Sequence, residues 1–119
     1  VTSKTILATA GLLGALGVGL GAFGAHGLKG MLVERGTFEI WQTAVLYHLV
    51  HLTAFAFLLV RVETARWNYR LFLGGVILFS GSLYLYALLE VKFLAMVTPV
   101  GGVLLLGGWL LLFWRAVRS

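Results

Sequence analysis

Four long apolar runs divide the chain, at residues 5–25, 40–60, 71–89 and 93–114. The first, third and fourth hold no charged residue, whereas the second carries Gln42, His48 and His51. Each is close to the about 20 residues an α-helix needs to cross a bilayer's hydrocarbon core. Barrel strands would alternate apolar and polar positions over about ten residues. These runs are apolar all round, which predicts helices. The connections at 61–70 and 90–92 are short, so adjacent helices pack antiparallel. The connection at 26–39 is longer. Leu28, Met31, Leu32 and Phe38 recur there at near-helical spacing among charged residues, which predicts a short interfacial helix broken at Gly30 or Gly36. The pattern therefore predicts an all-α, four-helix transmembrane bundle, with residues 1–119 forming one integral-membrane domain.

Composition sharpens this picture. The chain is 61% hydrophobic and 11% charged, where soluble domains hold about 25% charged residues. Thirteen charged side chains could not cover a water-soluble domain of 119 residues. There is no cysteine, so disulfides, thiolate nucleophiles and cysteine-held metals are excluded. The net charge of +5 does not point to nucleic acid, because the basic residues sit at the ends of the apolar runs. Lys4, Arg61, Arg66, Arg70, Arg115 and Arg118 share one side, and Lys29, Arg35 and Lys92 the other. The richer side is expected to be cytoplasmic, with both termini there, in a bacterial plasma (inner) membrane. Trp41, Trp67, Trp109 and Trp114 fall near run ends, as interface anchors do. The first run has some features of a signal peptide, but its length favours a retained span. Val1 fits an alternative start codon read literally, or a trimmed chain.

Sixteen glycines crowd the chain. Gly11, Ala15 and Gly19 form one small-residue series on the first run, Gly17, Gly21 and Ala25 another, and Gly14 adds to that surface. Small residues let helices approach closely, so these are expected at helix contacts. Residues Gly19 to Gly24 also match the dinucleotide pattern G-x-G-x-x-G, which lacks its required strand and is rejected.

The candidate chemistry is sparse. His48 and His51 lie one helical turn apart near the middle of the second run, and Tyr47 is four residues before His51. Ser80 and Tyr84 lie at similar depth on the third run. These five form a candidate polar cluster in which His51 is expected to bond a group on another helix, Ser80 or Tyr84 first. Its roles range from mutual hydrogen bonding to a ligand, lipid or quinone pocket, or a proton relay. His26, Glu39 and Gln42 form a second candidate at the opposite end from the termini. One histidine with loose carboxylates is weak as a metal site, and His26 more simply ends a helix. Pro99 is expected to loosen the fourth run. No catalytic residue, metal site or cofactor is expected, and the chain is not read as an enzyme.

Three stretches carry a family resemblance: Gly21-Ala22-Phe23-Gly24-Ala25-His26-Gly27, Phe79-Ser80-Gly81-Ser82-Leu83-Tyr84, and Thr98-Pro99-Val100-Gly101-Gly102 with Gly108-Trp109. Tyr47 and His51 add a Tyr-x-x-x-His element. The chain resembles the YgdD/YwdK-like inner-membrane proteins, a domain-of-unknown-function family that includes a small animal transmembrane protein. The resemblance implies four spans and no established activity, and it favours His51 over His48. The residues themselves favour a scaffold or accessory subunit that packs against other membrane proteins or itself. The alternative is binding or transport of a small molecule, lipid, quinone or proton at the His/Ser/Tyr cluster. The expected partners are the lipid bilayer and other membrane-protein subunits or a second copy.

Overall fold

The computed structural model describes residues 2–57 and 66–118. Val1 and the last three residues of the second apolar run, 58–60, lie outside the described residues, as do residues 61–65 of its connection. Five helices occur among the described residues: α1 (Ser3–Ala25), α2 (Lys29–Arg35), α3 (Phe38–Phe57), α4 (Arg66–Leu89) and α5 (Lys92–Arg118). Of these, α1, α4 and α5 are long and apolar enough to cross a membrane. The fold is an all-α bundle of four long helices with a short helix at one end.

The helices run further than the apolar pattern. α4 begins at Arg66 instead of residue 71, so Arg66 to Arg70 are helical where a loop was expected. α5 continues to Arg118. Arginine is a good helix former and places its charge beyond an apolar turn, so hydropathy marks where lipid contact ends, not where the helix ends. α1 is capped by Thr2, whose hydroxyl accepts from the Thr5 N–H. α2 ends at Gly36, which sits at φ 72°, a left-handed conformation that favours glycine. Gly30 lies inside α2, so of the two expected breaks only Gly36 ends it.

Antiparallel neighbours form the bundle in the order α1, α3, α4, α5. Its core is Ile6, Ala10 and Leu13 of α1 packed with Ala54, Phe72, Val76 and Leu105. A second core at the α2 end joins Leu32, Trp41, Ala44, Tyr84 and Ala87. Arg35 of α2 donates to the Leu88 carbonyl, and the buried Thr37 hydroxyl donates to the Ala87 carbonyl at 2.9 Å. These bonds tie α2 and the start of α3 to the end of α4.

The closest approaches occur on α4 and α5. A Cβ at Gly101 would overlap the Phe79 backbone, one at Gly75 would lie 2.5 Å from Leu105, and one at Gly108 would lie 2.8 Å from the Phe72 ring. On α1 the small residues divide. A Cβ at Gly17 would lie 2.6 Å from Leu49, and Gly24 is pressed by the Trp41 indole. Gly21 and Gly14 face Val45 and Leu52 at ordinary contact distance. A Cβ at Gly11 or Gly19 would meet nothing within 4 Å, so these two make no close helix contact within the chain. A helix has only one face toward α3, and the Gly14/Gly17/Gly21/Gly24 face takes it.

Candidate functional site

The polar side chains in the middle of the bundle come from three helices. His48, on α3, is 3% exposed. Its Nε2 lies 2.7 Å from the Leu13 carbonyl of α1, and its Nδ1 lies 2.9 Å from the Tyr84 hydroxyl of α4. A carbonyl only accepts, so Nε2 carries the proton and donates, and Nδ1 accepts from Tyr84. One neutral imidazole thus joins three helices. Gly17 makes room for it: a Cβ there would come within 3.3 Å of the ring.

His51, one turn along α3, has the opposite tautomer. Nδ1 donates to the Tyr47 carbonyl at 2.7 Å, and Nε2 accepts from the Trp109 indole N–H of α5 at 3.0 Å. The ring is 5% exposed and packs against Phe72 and Trp109. Its partner on another helix is therefore Trp109, not Ser80 or Tyr84. Those two are engaged elsewhere: Ser80 donates to the Ala44 carbonyl at 2.8 Å, and Tyr84 to His48. The five expected residues are neighbours, but they form separate pairwise ties instead of one continuous network. Tyr47 stays at the rim, with its ring 4.6 Å from Phe79.

A groove of about 470 Å³ lies beside this site, open to the side. Tyr47, His51 and Phe79 form one wall, and Pro99, Gly102 and Trp109 of α5 form another. α5 continues through Pro99, which has no N–H to give the Ala95 carbonyl. The Tyr47 hydroxyl has no hydrogen-bond partner among the described residues.

At the α2 end, His26 is the C-cap of α1 through its backbone N–H, with an exposed side chain. Glu39 and Gln42 are exposed on the first turns of α3. No hydrogen bond or ion pair joins the three, and Gln42 lines a shallow groove with Gly21, Gly24 and Trp41. Among the described residues no three His, Asp or Glu side chains are grouped to hold a metal.

Several ties were not expected from the sequence. The Trp41 indole donates to the Leu20 carbonyl at 2.9 Å and is 2% exposed, so Trp41, like Trp109, is an interhelix donor. Asn68 is fully buried; its Nδ2 donates to the Gly108 carbonyl at 2.9 Å, while its Oδ1 has no partner. Thr9, which donates to the Thr5 carbonyl, meets the Tyr69 hydroxyl at 2.7 Å, and Ser82 meets Thr98 at 2.5 Å. The available signal was positional: a Trp or Asn beside a run of small residues has a backbone carbonyl within reach on the next helix.

Comparison with known proteins is consistent with this architecture. A family model described as "Protein of unknown function (DUF423)" matches residues 20–102. The chain is similar to the UPF0382 membrane protein YwdK of Bacillus subtilis (strain 168), at 40% identity over 112 residues covering 87% of this chain and 88% of the relative. It is also similar to the UPF0382 inner membrane protein YgdD of Escherichia coli (strain K12), at 42% identity over 126 residues covering 99% and 93%. No solved structure matches.

Proposed function

This chain belongs to the DUF423 family of membrane proteins, and we propose that it crosses the bacterial plasma membrane four times and acts as a rigid accessory subunit, packing against other membrane proteins or a second copy of itself. The observation that carries this reading is that all four ring nitrogens of His48 and His51 are engaged inside the bundle. A proton carrier in a membrane needs a ring nitrogen facing a polar path. Here each nitrogen meets a carbonyl, a phenol or an indole instead, so the imidazoles serve as ties between helices. α3 is the fourth span in this reading: its 20 residues reach about 30 Å at the helical rise. Its polar groups are accommodated because it lies between α1 and α4. The basic end of the bundle faces the cytoplasm. The uncovered Gly11/Ala15/Gly19 face of α1 supports the packing role, since it admits another helix closely.

The test is isolation of the tagged chain from native membranes in mild detergent. A stoichiometric membrane-protein partner or a defined homo-oligomer is the expected result. A monomer alone contradicts the proposal. One observation favours a second reading, a bound quinone or lipid tail: the groove beside Tyr47 and Trp109. That reading predicts a small apolar molecule retained in stoichiometric amount and lost in Tyr47→Ala.

A further inference from the structure

We propose that the basic end of the bundle is a binding site for the headgroup phosphate of an anionic phospholipid, seated where the α4–α5 seam runs out. The extra turns of α4 and α5 beyond the apolar runs are what build it. Arg66 and Arg70 lie one turn apart on an exposed face of α4, on either side of Trp67, with their guanidinium carbons 5.9 and 5.1 Å from its ring. On α5, Arg118 lies 5.3 Å from the Trp114 ring. Both indoles are about half exposed, at 50% and 54%, an arrangement suited to the headgroup level of a membrane. The α4–α5 contacts Phe79–Gly101, Gly75–Leu105 and Phe72–Gly108 set an antiparallel register. Continuing it puts Arg66 level with Trp114 and Arg115.

Arg115 is the residue that distinguishes a site from a general positive surface. It continues the α5 face of Gly101, Leu105 and Gly108, which packs on α4. Its Nε is buried and has no hydrogen-bond partner. A guanidinium N–H withdrawn from water without an acceptor is costly, and a rotation of this partly exposed side chain would carry it to a phosphate oxygen, the acceptor that guanidinium geometry fits. No carboxylate pairs with these arginines among the described residues: Glu34, Glu39 and Glu90 lie at the other end, and Glu63 lies outside the described residues. Orientation by the positive-inside effect needs only charge, whereas this site also needs an N–H held in the seam.

The test titrates the purified full chain in detergent with phosphatidylglycerol or phosphatidylcholine of the same acyl chains, counting bound lipid by native mass spectrometry. The wild type is expected to prefer phosphatidylglycerol. Arg115→Gln and Arg66→Gln should each weaken that binding about fivefold. Arg115→Lys should also weaken it, because the charge remains but the Nε–H is gone. Lys29→Gln, at the opposite end, should leave it unchanged. Arg66 is exposed and off the seam, so its variant keeps the test open if Arg115→Gln fails to fold. Equal affinity of the wild type for both lipids overturns the proposal. So does an equal loss from Lys29→Gln, or displacement of the lipid by millimolar inorganic phosphate, which would mark a free-anion site.

Discussion

Replacing His48 with leucine should destabilise the bundle more than replacing His51, and the structure gives the reason. Leucine is close to histidine in volume, so the cavity contribution is small and the lost hydrogen bonds dominate. His48 makes two bonds to other helices, one to the Leu13 carbonyl and one from the buried Tyr84 hydroxyl. Interhelical hydrogen bonds in membrane proteins average about 0.6 kcal/mol and reach about 1.7. His48→Leu should therefore cost about 1–3 kcal/mol. His51 makes one such bond, to Trp109, since its other partner is the carbonyl of Tyr47 on its own helix. His51→Leu should cost about 0.5–1.5 kcal/mol. Reversible unfolding in mixed micelles titrated with sodium dodecyl sulfate measures both. A cycle with Tyr84→Phe should recover a coupling to His48 and none to His51. A His51→Leu loss equal to or larger than that of His48→Leu would show that His48 is not the stronger tie between helices.

The remaining predictions concern the backbone. Gly101→Ala should cost about 2 kcal/mol or more in the same assay, because its Cβ would meet the Phe79 backbone, which cannot rotate away. Gly19→Ala should change monomer stability by less than about 0.5 kcal/mol, since nothing lies within 4 Å of its Cβ; a loss like that of Gly101→Ala would show a misplaced α1. Glu90 sits at φ 55° in the α4–α5 turn, so Glu90→Gly should stabilise by about 1 kcal/mol, and a lower unfolding midpoint would count against that strain.

Hydropathy made the all-α bundle, the short helix α2 and the antiparallel order of neighbours legible, because a bilayer leaves a continuous apolar run little choice but a helix. The helix ends were less legible. Arg66, Arg70 and Arg118 read as loop or terminus because hydropathy senses the solvent around a residue, not its backbone hydrogen bonds. The residues of the mid-helix polar cluster lie near one another, but their bonding partners differ from those expected. Depth along a helix follows from counting residues, whereas the direction of a side chain depends on the rotation of each helix. That rotation is set by packing such as Gly17 against Leu49 and Gly101 against Phe79. Thus His51 pairs with Trp109, a residue read as an anchor, and His48 takes the central tie. Asn68 escaped notice because it fell in a stretch assigned to a loop.

If the proposed function holds, both imidazoles of α3 are fixed structural ties. Nuclear magnetic resonance of the chain in lipid bilayers, with isotope-labelled histidine, reads the protonated ring nitrogen directly. The signals are assigned with His48→Gln and His51→Gln variants. Opposite, static tautomers are expected, with the proton on Nε2 of His48 and on Nδ1 of His51. The same tautomer at both positions, or nitrogen signals averaged by a proton moving between the two sites of a ring, would contradict that expectation.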